Sequence, residues 1–198
     1  MRFKSRPVLP DHMIPERSAS MAISKSADRT LTGIERTFSA DDLIVSKTDK
    51  TGKITYANDV FLSVSGYVEN EVIGKPHSLI RHPHMPRAVF KLLWETIGSG
   101  LEIFAYVVNR AKNGDHYWVL AHVTPNCDQD GVIVGYHSSR RVARPAALAK
   151  IQPIYQRLLV AESEAADRHL GLTTSYSLLQ DMVGQAGFDG YDRFVLSL

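Results

Sequence analysis

From Glu102 onward the pattern of the chain changes, and that change limits what it can fold into. "EIFAYVVNRA", "DHYWVLAHVTP" and "VIVGYHSSRRV" are three long strand-like runs, separated only by the turns "KNGD" and "CDQDG". Runs joined so closely form a meander. Upstream, "DLIVSKTD" and "KITYAN" flank "KTGK", a turn with Gly52, which is a hairpin signal. Between hairpin and meander the spacing is helical. "DVFLSVSGY" suits a short helix ended at Gly66, and "ENEVIG" a helical turn closed by Gly74. "MPRAVFKLLWETIGSG" carries Val89, Leu92, Leu93, Thr96 and Ile97 at helical spacing, with Pro86 in its first turn and a glycine stop. Two strands, short helices, one longer helix and three strands make an α+β unit. The expectation is a five-stranded antiparallel sheet with short helices on one face.

The flanks differ in kind. Residues 1–38 are rich in Pro, Ser, Arg and Lys and read as a flexible arm; Met21 is an alternative start. Residues 39–143 hold the α+β domain. Residues 144–198 read as a helical extension. In it "ALAKIQPIYQRLLVAESEAADRHL" has Leu148, Ile151, Ile154, Leu158 and Leu159 on one face and Pro153 as an interruption. "YSLLQDMVGQAG" suits a second short helix, and "YDRFVLSL" closes in an apolar cluster. Such an apolar face packs back on the domain or on a partner. If a partner covers it, a domain cut at Ala146 folds and keeps its ligand but loses association.

Composition narrows the function. With 198 residues, 44% hydrophobic and 22% charged, the chain is of soluble globular type. A net charge of +2 demands no nucleic-acid partner, and no apolar run approaches the ~20 residues that span a bilayer. No signal peptide is legible, and the single Cys127 allows no internal disulfide, so a cytoplasmic setting is expected. "TGIERT" lacks the lysine and glycine spacing of a phosphate loop, and no serine sits in a nucleophile elbow. There is no zinc knuckle and no histidine pair at i, i+4 around a glutamate, so neither an enzyme nor a protein-ligated metal is expected.

One stretch carries unusual chemistry. "PHSLIRHPHMPRAVF" places His77, His82 and His84 around Arg81 on a segment that Pro76, Pro83 and Pro86 keep from becoming one helix. An arginine offers a planar fork of donors suited to phosphate or carbonyl oxygen, and imidazoles titrate near neutrality. The plain alternative is that Arg81 and His82 pair with surface carboxylates.

The element order β-β-α-α-α-β-β-β is that of a PAS domain. "ITYANDVFLSVSGY", "GKPHSLIRHPHMPRAVF", "LLWETI", "VNRAKNGDHYWV" and "GYHSSRR" closely resemble the PAS sensor domains of bacterial aerotaxis receptors and their single-domain relatives, over roughly Asp42 to Leu159. The resemblance implies a redox, oxygen or energy sensor that holds FAD non-covalently. It implies cofactor contacts at His77, Arg81 and His82, with Asn109 and Tyr117 on the sheet side, and it adds Asn58, His84 and Ile103 to the candidate positions. Two positions depart from the family pattern. His84 stands where an aspartate follows "RHP", and Ile103 where a tryptophan is frequent. Haem on one of the histidines, or a ligand-free PAS interaction module, therefore remain rival readings. No catalytic output domain is legible, so a signal must pass to another chain: a chemoreceptor, a histidine kinase or a second copy. The last strand and the helix after it are the natural outlet.

Overall fold

The computed structural model describes residues 31–198, so most of the expected arm lies outside the described residues. The hairpin forms as β1 (Ile44–Asp49) and β2 (Ile54–Ala57). Helices α1 (Asp59–Ser65) and α2 (Glu69–Val72) follow, then a 3-10 turn (His77–Ile80) and α3 (Arg87–Gly98). The meander is β3 (Ile103–Arg110), β4 (His116–Cys127) and β5 (Ile133–Val142). All five strands join one antiparallel sheet in the order β2-β1-β5-β4-β3. Asn58 caps α1 by accepting from the Phe61 amide, and Gly66 ends it at φ 72°, a left-handed conformation that favours glycine.

Strand alternation sorts the side chains into two faces. The inner face carries Ala105, Val107 and Asn109 of β3 beside Ala121, Val119 and Tyr117 of β4, and it continues into Arg140 and Ser138 of β5. The short helices cover it: Phe61 of α1 lies beneath the Arg140 guanidinium, and Trp94 of α3 meets Tyr136 edge to face. The outer face carries Tyr106, Trp118 and Leu120, and the extension covers that.

The extension consists of α4 (Pro145–Glu164), α5 (Arg168–Gln185) and α6 (Tyr191–Ser197). Pro153 does not interrupt α4. Its missing N–H and its clash with the Ala149 carbonyl cost about 3 kcal/mol in a free helix. Tertiary packing offsets this, because Ala147, Ile151, Tyr155 and Leu158 form one buried face on both sides of the proline. Tyr155 stacks on Trp118 and donates its hydroxyl to the Tyr106 carbonyl at 2.6 Å. The helix ends instead before Asp167, which caps α5 through the Leu170 amide. The second helix is longer than its apolar pattern suggests, because α5 lies against α3 and is held there by polar contacts.

The apolar face of the extension is thus covered by the chain's own sheet. A domain cut at Ala146 would uncover Tyr106, Trp118 and Leu120, so the idea of a dispensable tail does not fit this packing. α6 also closes the free edge of β3, where Asp192 accepts from the Phe104 amide at 2.9 Å.

Residues 31–38 are likewise not arm-like. β5 stops at Val142, opposite Val119, which leaves the start of β4 without a neighbour on that side. Residues 32–36 fill the gap: the His116 amide donates to Ile34 and the Arg36 amide to His116. Asp115 fastens the segment, accepting from Thr32 Oγ1 at 2.6 Å, Arg36 Nε at 2.8 Å and Asn113 Nδ2 at 2.7 Å.

Those bonds, that from Thr32 first, hold the Asp115 carboxyl at about 2, below its usual 3.8. A depressed carboxyl contributes stability that is complete above the unfolded value and disappears as pH falls through the folded one. The segment is therefore expected to loosen between about pH 4 and pH 2. Hydrogen exchange at the Arg36 and His116 amides checks this; protection unchanged down to pH 2 would exclude Asp115 as the fastening.

Candidate functional site

The inner face of the sheet has a polar centre where an apolar core is expected. Arg140 is 4% exposed, and no carboxylate pairs with it among the described residues. Its Nη2 donates to Ser46 Oγ at 2.9 Å and to His77 Nε2 at 2.7 Å. A guanidinium can only donate, so His77 Nε2 accepts and the ring proton sits on Nδ1. Burial, then the Arg140 charge, lowers the His77 pKa to about 3. Burial likewise lowers that of Arg140 to about 10.

Around this centre several buried polar atoms have no partner among the described residues: Asn109 Nδ2, Tyr117 hydroxyl, Ser138 Oγ and Arg140 Nη1. Asn109 and Tyr117 are cross-strand neighbours, and the Arg140 charge is felt at Tyr117. An unsatisfied buried polar group costs about 1–3 kcal/mol, so four on one face are expensive unless they serve a ligand. They offer one guanidinium donor, one amide donor and two hydroxyls. That set matches a flat ligand whose polar edge alternates carbonyl oxygens with ring nitrogens.

The structure brings three of the sequence-derived candidates to this face: His77, Asn109 and Tyr117. Ile103 shares their strand face but lies at its far end, buried near Leu92 and Thr96 of α3 and Tyr191 of α6. Asn58 is occupied elsewhere: its Oδ1 accepts from the Val45 and Phe61 amides, and its Nδ2 donates to the Leu43 carbonyl.

Arg81, His82 and His84 do not reach the inner face. Their loop runs along the free edge of β3. The Arg81 backbone bridges to Asn109, and the Val108 amide points at Met85 Sδ. The Arg81 guanidinium stacks over Phe90, 4.1 Å from the ring centroid, and donates to the Met85 carbonyl at 3.3 Å. Burial lowers its pKa to about 10, against an opposing pull from Glu162. His82 is 5% exposed, and its Nδ1 accepts from the His84 amide at 3.1 Å. The His84 side chain is exposed.

Sequence reasoning missed Arg140, Ser46 and Ser138. The signal was present in "SSRR": Ser138 and Arg140 are two apart on a strand, so they share a face, but which face could not be read without the register.

Residues 54–140 match a family model described as "PAS fold". The chain is 44% identical over 118 residues to the aerotaxis receptor of Escherichia coli, covering 60% of this chain and 23% of the receptor. It is 25% identical over 131 residues to a nitrogen fixation regulatory protein of Klebsiella pneumoniae, covering 66% of this chain and 26% of that protein. The chain thus spans about a quarter of the length of these two relatives. Among solved structures, the light-state LOV domain of the blue-light photoreceptor Aureochrome1 superposes with a TM-score of 0.50 at 26% identity, over 58% of this chain and 91% of that one.

The His77 assignment has a pH consequence. The unfolded chain takes up this proton near 6.5, whereas the folded chain takes it up only near 3. Between those values the unfolded state binds more protons, so this group makes stability fall as pH drops from about 6.5 toward 3. In the ¹⁵N spectrum of the imidazoles, His77 is expected to stay neutral, with its proton on Nδ1, at pH 5. A His77 that protonates near pH 6.5 would rule out the Arg140 contact.

Proposed function

This chain carries a PAS domain, and we propose that the domain is a sensor holding a flavin between the inner sheet face and the short helices, as FAD. The observation that carries the reading is the set of four partnerless buried polar atoms around Arg140. Their chemistry fits the polar edge of an isoalloxazine ring. Similarity to the aerotaxis receptor and to a LOV photoreceptor domain supports a sensory role over an enzymatic one. Haem finds less support. The inward-facing histidine, His77, already uses Nε2 to accept from Arg140, and His82 uses Nδ1 to accept from His84.

A bound flavin supplies a redox centre whose ring edge changes its proton count on reduction. The protein's part is to answer that change. Asn109 Nδ2 and Arg140 Nη1 are donors to the ring edge, while the Tyr117 and Ser138 hydroxyls can donate or accept. Groups that bind two ligand states with different strength shift the protein between two conformations. Arg140 is well placed to pass such a shift on, because Val142, two residues later, ends β5 and α4 begins at Pro145. No helix among the described residues is long and apolar enough to cross a membrane. The receiving partner is proposed to be a chemoreceptor, a histidine kinase or a second copy of the chain. Arg81 and His82 are assigned a supporting part, since their loop closes the β3 edge beside Asn109.

The absorption spectrum of gently purified protein tests the ligand: flavin bands are expected, and a Soret band or a colourless protein would overturn the reading. Losing a charged hydrogen bond costs about 1.5–3 kcal/mol, or roughly ten- to a hundredfold in affinity. Arg140→Met is expected to weaken flavin binding by that factor while keeping the fold, because it removes a buried charge together with its contact. Tyr117→Phe is expected to weaken binding less. Full flavin occupancy in both variants would place the ligand elsewhere.

A further inference from the structure

On the outer side of the β3 edge lies a cluster of basic side chains of which the proposed flavin site uses only His82, through the backbone of its loop. Arg110 of β3 stands directly opposite His116 of β4, which puts both on the outer face. The His82 ring lies 5.8 Å from that of His116 and 4.8 Å from that of His84, centroid to centroid. No side-chain hydrogen bond or ion pair engages Arg110 among the described residues, and its Nε is fully buried without a partner. With Nδ1 of His82 already accepting from a backbone amide, the ring proton belongs on Nε2, which is left to donate. Donors from a loop and two strands thus share one place, and among the described residues no acceptor answers them.

We propose that Arg110, His82, His84 and His116 form a binding site for a tetrahedral oxyanion of the phosphate class. Such an anion presents oxygens in several directions, which suits donors arriving from three chain segments. A carboxylate, with two oxygens in one plane, answers fewer of them. The acidic residues around the cluster do not fill this role. Glu35, bridged through its backbone to His116, is exposed and forms no ion pair with it. Asp115 is taken up by Thr32, Arg36 and Asn113. Arg81 is turned away onto Phe90.

The electrostatics set a direction. Burial first, then the charges of His84, His116 and Arg110, lowers the His82 pKa to about 4. An anion beside His82 favours its protonated form, so by linkage the affinity rises as pH falls. The site shares only the His82 loop with the flavin reading, takes its donors from other atoms, and does not depend on it.

The test uses the full chain and follows the imidazole ¹⁵N–¹H resonances of His82 and His116. Inorganic phosphate, pyrophosphate and AMP are expected to shift both in a saturable way, and acetate is not. If AMP and pyrophosphate bind more tightly than phosphate, the source is a nucleotide or polyphosphate; if all three are equal, it is free phosphate. Sulfate keeps its charge over this range, so it isolates the protein's contribution: its affinity is expected to rise between pH 8 and pH 5.5. Arg110→Gln is expected to weaken phosphate roughly tenfold or more. His82→Gln is expected to shrink the pH dependence, and Arg141→Gln to change neither the phosphate affinity nor its pH dependence. Unmoved resonances at 20 mM phosphate, in order of magnitude the weakest useful affinity, would overturn the proposal. So would acetate acting as strongly as phosphate, or an Arg110→Gln variant that binds like the parent.

Discussion

A guanidinium buried with no carboxylate partner among the described residues is the constraint around which the inner half of this protein is arranged. Removing an arginine from water is costly, and here hydrogen bonding alone offsets the cost. Arg140 Nη2 donates to a serine of β1 and to the 3-10 turn's histidine, so one side chain joins three parts of the chain. Its demand for acceptors fixes the His77 tautomer and keeps that ring neutral. Phe61 lies 5.9 Å below the guanidinium and supplies the face of a ring rather than a charge. The result is a polar centre inside an otherwise apolar cluster, with hydrogen-bonding capacity left over at Arg140 Nη1.

A sheet with one face given to such a centre needs its other face and its edges closed by different means. Sheet-to-helix packing on the outer side comes from α4, where Tyr155 joins an aromatic stack to two buried hydrogen bonds, one to the Tyr106 carbonyl and one to the Tyr191 hydroxyl at 2.8 Å. The free edge of β3 is shared between the 81–85 loop and α6. Each cover satisfies backbone groups that an open edge would expose. This is why the helical extension is part of the folded unit and not an appendage.

Much of this was legible in the sequence where the signal was local. The hairpin at Gly52, the αL stops at Gly66 and Gly74 and the three-strand meander follow from turn chemistry and period. His77, Asn109 and Tyr117, candidates through family resemblance, lie together at the inner polar centre. What was not legible depends on long-range contacts. Pro153 reads as a helix break until Tyr155 and Ile151 are seen holding the helix on the sheet. Residues 32–36 read as loose chain until β5 is seen to end three residues short of the strand start they cover. Arg81 and His82 share their sequence block with His77, yet a proline-rich loop turned them along the edge while the 3-10 turn sent His77 inward. Spacing in a sequence does not say which side of an edge a loop will face.

That loop links two parts of the structure. At one end its backbone bridges to Asn109, whose side chain belongs to the inner polar centre. At the other it runs into α3, whose first turn is gripped from α4: Glu162 accepts from Arg87 Nε at 2.9 Å and from the Ala88 amide at 3.0 Å. The same carboxylate accepts from Ser175 of α5 at 3.0 Å. A buried acceptor on α4 that serves three donors on two other helices has little freedom to move with only one of them. A displacement at the inner site therefore meets the extension by two physical paths, from Arg140 along β5 into α4, and from Asn109 along the loop and α3 into the Glu162 junction. Adjacency alone is not coupling. It does mean that a rearrangement of the inner site large enough to move the β3 edge must either strain the Glu162 junction or carry α4 and α5 with it.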